Sequence, residues 1–376
     1  MLKLSFHSTL LCLAGFLLFL SSCKKDDDSV TPVVDDKYEI PTKYSTFDNV
    51  SYGGQTQRLS MFLELKSYMK TANTPNTNLD ATRLKAMYAN DAASAQWAGT
   101  YEDSKQLKSK TFSTEQEKFD VLFDKIAIAS QSTVPGTTNQ AGVINSNDGQ
   151  KKYLIAANGL DYAQIIEKSL MGACIYYQAT GVYMESGKMD VDNETITPGE
   201  GTDMEHHWDE AFGYLGVSQD FPTNKDGLVF WGSYTNQRDN LLGSNQKLMD
   251  GFLKGRAAIT NKDLTTRDEA IDELRPEWEL VSVGSALHYL NVGINQFDDI
   301  AIRNHGLSEG IGFIYSLKFN PAKTITTAQI DELLVLVAGA SNFDDMNLYT
   351  VDTAKLAEAR DQLAAYFNLT DKKGDF

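Results

Sequence analysis

The chain has 376 residues, a formal net charge of −17 and three cysteines. Such acidity excludes nucleic acid and anionic lipid as main partners, because both repel it, while cations remain acceptable. Cys12 lies in a leader segment and Cys23 is claimed by lipid (both below), so Cys174 has no intrachain partner; stability must come from an apolar core, for which the length is ample.

Residues 1–22 read as a signal peptide. Lys3 gives a positive start, and Leu10 to Leu20 is an apolar run too short for a comfortable membrane span. Leu20-Ser21-Ser22-Cys23 then offers a leucine, two small residues and a cysteine, the pattern at which a lipoprotein is cut and acylated. Lipid on Cys23 anchors a chain without a spanning helix. Residues 23–37, with Pro32 and Asp35-Asp36, form a polar tether. Residues 38–376 are the body.

Within the body, Tyr38 to Gly53 should be irregular. Apolar residues at helical spacing predict helices over 55–70, 115–129, 162–184, 234–259, 277–297, 301–317, 327–337 and 353–367, with Pro276 starting or kinking the helix of Trp278. Asn147-Asp148-Gly149, between Gly142-Val143-Ile144 and Tyr153-Leu154-Ile155, predicts one small β-hairpin near 142–155. The expected class is mainly all-α.

Two motifs occur twice, in the same order. Glu167, Gly172, Tyr177, Gly181 and Val182 recur as Glu279, Gly284, Tyr289, Gly293 and Ile294, each 112 positions on. His206, Glu210, Gly213 and Tyr214 recur as His305, Glu309, Gly312 and Phe313, each 99 positions on. This spacing predicts duplicated helical-bundle modules, 162–222 and 274–321, related by a pseudo-two-fold axis. Glycine and tyrosine at helical spacing can also arise from close packing alone.

The mature chain has four histidines, His206, His207, His288 and His305. Two of them stand four residues before a glutamate, which puts imidazole and carboxylate on one helix face. Nitrogen with oxygen ligands suits zinc, iron, manganese or copper better than calcium. The expected metal set is therefore His206, Glu210, His305 and Glu309, with His207 and Asp209 as alternates. The plainer alternative is a helix-stabilising contact worth about 0.2–0.5 kcal/mol per pair. Zinc-protease, serine-hydrolase, phosphate-loop and dinucleotide motifs are all missing from the sequence, and Asp190-x-Asp192-Asn193-Glu194 lacks the later ligands of a calcium loop. No catalytic activity is expected.

The stretch Glu205-His206-His207-Trp208-Asp209-Glu210-Ala211-Phe212-Gly213-Tyr214, with His305-Gly306-Leu307-Ser308-Glu309-Gly310-Ile311-Gly312-Phe313, resembles a family of Bacteroidota lipoproteins known as domain of unknown function 4856. The likeness spans about residues 38–376, and it implies no activity. Lys24-Lys25-Asp26-Asp27-Asp28 resembles the surface-export signal of such lipoproteins, which implies the cell surface; the periplasmic face is the alternative if the run is only a solvated tether. A looser resemblance is to imelysin-like proteins, duplicated helical bundles tied to iron uptake that carry Gly-x-His-x-x-Glu. His207-x-x-Glu210 matches its end, but Glu205 stands where the glycine should be, and the second half has His305-x-x-x-Glu309. Together these imply a lipid-anchored outer-membrane protein binding a metal ion or an iron-containing ligand, with iron uptake as its setting. The rivals are a surface glycan-binding lipoprotein beside an outer-membrane transporter, signalled by exposed tryptophans lining a cleft, and a non-catalytic interaction protein.

Overall fold

Side-chain caps mark where many of the periodic stretches begin. Asp161, Asp263, Asp299 and Asp352 each accept a backbone N–H of the first turn that follows, and Thr202 and Thr326 form reciprocal capping boxes with Glu205 and Gln329. The computed structural model describes residues 38–376; the expected signal peptide, the expected lipid site at Cys23 and the expected tether fall outside the described residues. Its elements are α1 (Gly53–Thr71), α2 (Ala81–Ala89), α3 (Ala92–Ala95), α4 (Gln116–Ser130), β1 (Gly142–Asn145), β2 (Lys152–Ile155) and α5 (Tyr162–Leu170). α5 continues through two π-wound segments, Met171–Tyr176 and Ala179–Tyr183. Then follow α6 (Ser186–Met189), α7 (Asp203–Gly213), α8 (Trp231–Leu242), α9 (Ser244–Thr260), α10 (Leu264–Asn295), α11 (Ile300–Ser316), α12 (Thr327–Ala338) and α13 (Thr353–Tyr366). The chain is mainly all-α, as its periodicity predicts.

The hairpin forms where the turn signal puts it, with Val143 opposite Leu154 and Ile144 opposite Tyr153. Residues 38–52 are irregular apart from one 3₁₀ turn at Tyr44–Thr46. Two predicted helices need correction. The stretch 234–259 is broken at Gly243, whose φ of 68° is left-handed and ends α8. Pro276 does not start a helix; it lies inside α10, which begins twelve residues earlier on its Asp263 cap. Buried Leu274, Trp278 and Val281 hold the helix together across the proline. α2, α3 and α6 lack a long apolar period, and the sequence does not announce them.

A single apolar core runs through these helices, with Trp208, Trp231 and Trp278 fully buried. The repeated motifs occupy elements of the same kind: the first lies on α5 with its π segments and on α10, the second on α7 and α11. Their packing differs. α11 lies along both α10 and α5, whereas α7 packs on α9, α1, α6 and the second π segment. The π winding also changes which residues share a face, so Gly172, Tyr177 and Gly181 are not disposed like Gly284, Tyr289 and Gly293. Positions that a pseudo-two-fold axis would make equivalent therefore have different neighbours.

The motif glycines mark close approaches. A Cβ on Gly172 would fall 2.3 Å from the Ser316 Oγ and 2.6 Å from its Cα, and one on Gly312 would fall 2.4 Å from the Lys168 Cβ. These two glycines let α11 lie against α5 and the first π segment. Gly172→Ala is expected to cost about 1–3 kcal/mol by overpacking, because the backbone of α11 must move. Urea unfolding checks this, and a variant as stable as wild type would contradict it.

Candidate ligand-binding site

The second His/Glu pair belongs to a closed chain of buried charges. Asp161 caps α5, accepting the backbone N–H groups of Ala163 and Gln164 at Oδ1, while its Oδ2 lies 2.8 Å from the His305 Nδ1. The opposite ring nitrogen, Nε2, lies 3.2 Å from the Glu309 Oε1. The other Glu309 oxygen accepts from the Tyr234 hydroxyl at 3.1 Å and faces the Lys168 Nζ at 3.4 Å. Lys168 also bonds Glu167 at 2.5 Å, and Glu167 meets Lys66 at 2.8 Å and Lys70 at 3.4 Å. The Tyr153 ring, from the hairpin, stacks on His305 at 3.7 Å.

Burial opposes a charge on His305, but hydrogen bonds to Asp161 and Glu309, with their negative charge, raise it to about 9. Burial would likewise raise Glu309, yet the Lys168 ammonium and the His305 hydrogen bond hold it well below the usual carboxylate range. At neutral pH His305 is thus an imidazolium donating from both nitrogens. It has no lone pair for a metal. Its two carboxylates sit on opposite edges of the ring, so they cannot converge with it on one ion.

The first pair is arranged differently. The His206 Nε2 and Glu210 Oε2 are 3.9 Å apart, and both side chains are partly open to solvent. The Gln55 amide donates to the Glu210 Oε1 at 2.9 Å and lies 3.4 Å from the Tyr183 hydroxyl, which also bonds Glu210. Burial, then Glu210, pushes the Tyr183 phenol up. Buried polar atoms here lack partners: the His206 Nδ1, the Gln55 Oε1 and the Tyr214 hydroxyl.

The alternates are occupied. His207 is depressed by burial and by the Lys188 charge; neutral, it donates from Nδ1 to the Lys188 carbonyl at 2.9 Å and accepts the Lys188 ammonium at Nε2, 3.0 Å away. Asp209 is fully buried, takes the Tyr44 hydroxyl at 2.6 Å and Arg256 at 3.0 Å, and is pushed up to about 6 because burial outweighs Arg256. Arg256 also bonds Glu205, so this trio ties α7 to α9.

The expected four-residue metal set is therefore corrected. Among the described residues no group of three or more His, Cys, Asp or Glu side chains is placed to hold a metal ion. His305 and Glu309 are consumed by ion pairs, and His206 with Glu210 supplies only two donors. The cluster around the first pair is also larger than the motif. Gln55 and Arg58 enter from α1, Tyr183 from the second π segment, and Lys110 from a 3₁₀ turn, Lys108–Lys110. One sequence signal for α1 was available: Gln55 and Arg58 share a face with Leu59, Phe62 and Leu65, so two polar side chains stand at core positions. Nothing local in the sequence marks Lys110 or Tyr183.

The tryptophans do not form a sugar platform. Trp208, Trp231 and Trp278 are core, and half-buried Trp97 bonds Asn90 at 2.9 Å.

Comparison with curated proteins and with solved structures returns no match. The matching family model is not an imelysin-like one; it is described as a domain of unknown function, DUF4856, and covers residues 41–370. The two His/Glu helices and the whole helical body lie within that match, and the chain belongs to this family.

Proposed function

We propose that the protein is an exported, lipid-anchored binding protein of the outer membrane, facing the cell exterior. It takes an iron-containing ligand at the half-open His206–Glu210 site and serves an outer-membrane transporter without catalysis. One observation carries this reading: the same motif occurs twice, neutralised and sealed at His305–Glu309 but left open at His206–Glu210, with buried polar atoms unpartnered. Buried polar groups are normally satisfied, and those that are not deserve a ligand or water as their explanation. The metal arrives inside its ligand, because a bare ion would find two donors and a surplus of nearby cations.

Two measurements test this. Full-length protein in detergent, titrated with ferric citrate and with zinc chloride, should bind the ferric chelate and not the zinc ion. His206→Ala should weaken the chelate about tenfold, the loss of one good polar contact. Failure to bind ferric citrate removes the iron reading, and binding that His206→Ala leaves unchanged removes this location. Cys23→Ala should release the protein from membranes, and a variant that stays membrane-bound removes the anchor.

A further inference from the structure

Charge is distributed unevenly around the first His/Glu pair. The chain as a whole carries −17, but three cations, Arg58, Lys110 and Lys188, lie near Tyr183 and Glu210. Arg58 is 6 % exposed, on the core face of α1. Its Nε donates to the Gln106 carbonyl at 3.1 Å, and among the described residues it forms no ion pair. Buried Arg256 and Lys168 each meet two carboxylates, whereas buried Arg238 and Arg303, like Arg58, meet none among the described residues.

Lys110 is half-buried, and its ammonium has no hydrogen bond or ion pair among the described residues; it stands 5.9 Å from the Tyr183 ring centroid. The Lys188 ammonium stands 5.7 Å from the same ring. Burial and the Arg58 charge together depress Lys110. The carboxylate in contact with this cluster is Glu210; Glu102, farther out, is exposed and paired with Lys105. The Gln178 amide donates to the Lys110 carbonyl at 2.8 Å, while its buried oxygen, like that of Gln55, has no donor.

A buried cation without a counter-charge is costly to keep, and it persists where something else compensates it. We propose that this cluster binds an oxyanion, a carboxylate or phosphate, carried on a hydroxylated body. Arg58 and Lys110 face the oxyanion with charged N–H donors. The free Gln55 and Gln178 oxygens and Glu210 accept hydroxyl protons from the body. The Tyr214 hydroxyl and the His206 Nδ1 complete the set. Lys110, Lys188, His206 and His207 are only partly buried and form the rim, above buried Gln55, Arg58, Tyr183 and Tyr214. This deepens the binding-protein reading and rests on it for the location alone; it does not require iron.

The test uses full-length protein in detergent at fixed ionic strength, titrated calorimetrically with glucuronate and with glucose. Glucuronate should bind saturably and glucose should not. Lys110→Met should weaken glucuronate about tenfold or more, the scale of one charge-assisted hydrogen bond. The same variant should melt no lower than wild type without ligand, because it removes an unpaired charge and breaks no hydrogen bond. Arg58→Gln is the second variant and should weaken glucuronate similarly. Glu210→Gln, which keeps an acceptor for Gln55 but removes the negative charge, should bind glucuronate several-fold more tightly. Equal binding of glucose and glucuronate, unchanged affinity in Lys110→Met, or weaker binding in Glu210→Gln would each overturn the proposal. Glucuronate bound as expected alongside failure with ferric citrate would discard the iron reading and leave this site standing.

Discussion

Lys168→Met is expected to cost the fold about 3–5 kcal/mol, the usual penalty for removing one partner from a buried ion network. Lys168 is 2 % exposed and lies between Glu167 and Glu309, which are themselves buried. Methionine fills the space but leaves two carboxylates facing each other with less positive charge between them. The loss spreads through three helices, because Glu167 reaches Lys66 and Lys70 on α1 while Glu309 reaches His305 on α11. Adding Glu309→Gln to Lys168→Met should recover part of the loss, since a neutral group no longer needs the ammonium, and a double-mutant cycle reads that coupling. Urea unfolding of the three variants is the measurement. A cost under about 1 kcal/mol would show that the network contributes little beyond packing. The substitution should leave the His206 site intact in the folded fraction, since the two sites use different residues.

The second large effect is a dependence on pH. His305 is raised from 6.5 to about 9, so the folded state holds its proton more tightly than the unfolded chain does. The stability it contributes is fully present below about pH 6.5 and is lost as pH rises through about 9. Glu167 runs the other way. Burial would raise it, but Lys168 and then Lys66 lower it from 4.5 to about 2. Its contribution is present above about pH 4.5 and is lost as pH falls through about 2. The network is therefore strongest between about pH 4.5 and 6.5. The alkaline loss attached to His305 is on the order of 3 kcal/mol. Unfolding free energies measured at pH 6 and pH 9.5 should differ by about that amount in wild type and by much less in His305→Gln. Equal pH slopes in the two proteins would remove the imidazolium from the account.

Much of the fold was written locally. The hairpin needs only a turn sequence and flanking β-formers, and 142–145 and 152–155 pair accordingly. Helices 300–316 and 327–338 follow from apolar spacing and caps, and 116–130 from apolar spacing without a side-chain cap, all properties of a few neighbouring residues. The breaks were less legible. Gly243 ends a helix because it adopts a left-handed backbone, while Pro276 fails to end one because buried neighbours hold α10 across it.

What the sequence alone determined was which residues are paired: His206 with Glu210, and His305 with Glu309, one helical turn apart, since that distance depends on the helix and nothing else. What it could not determine was the use of each pair. His305 is an imidazolium because α5 brings Asp161 to one ring nitrogen from 144 positions away and Glu309 takes the other. His206 stays half-open because its neighbours, Gln55, Arg58, Tyr183 and Lys110, arrive from three other segments and bring cations rather than a second carboxylate. Charge state and ligand preference are set by everything within a few ångströms. A repeated motif fixes only its own turn of helix, and tertiary packing supplied the remaining groups differently in the two halves.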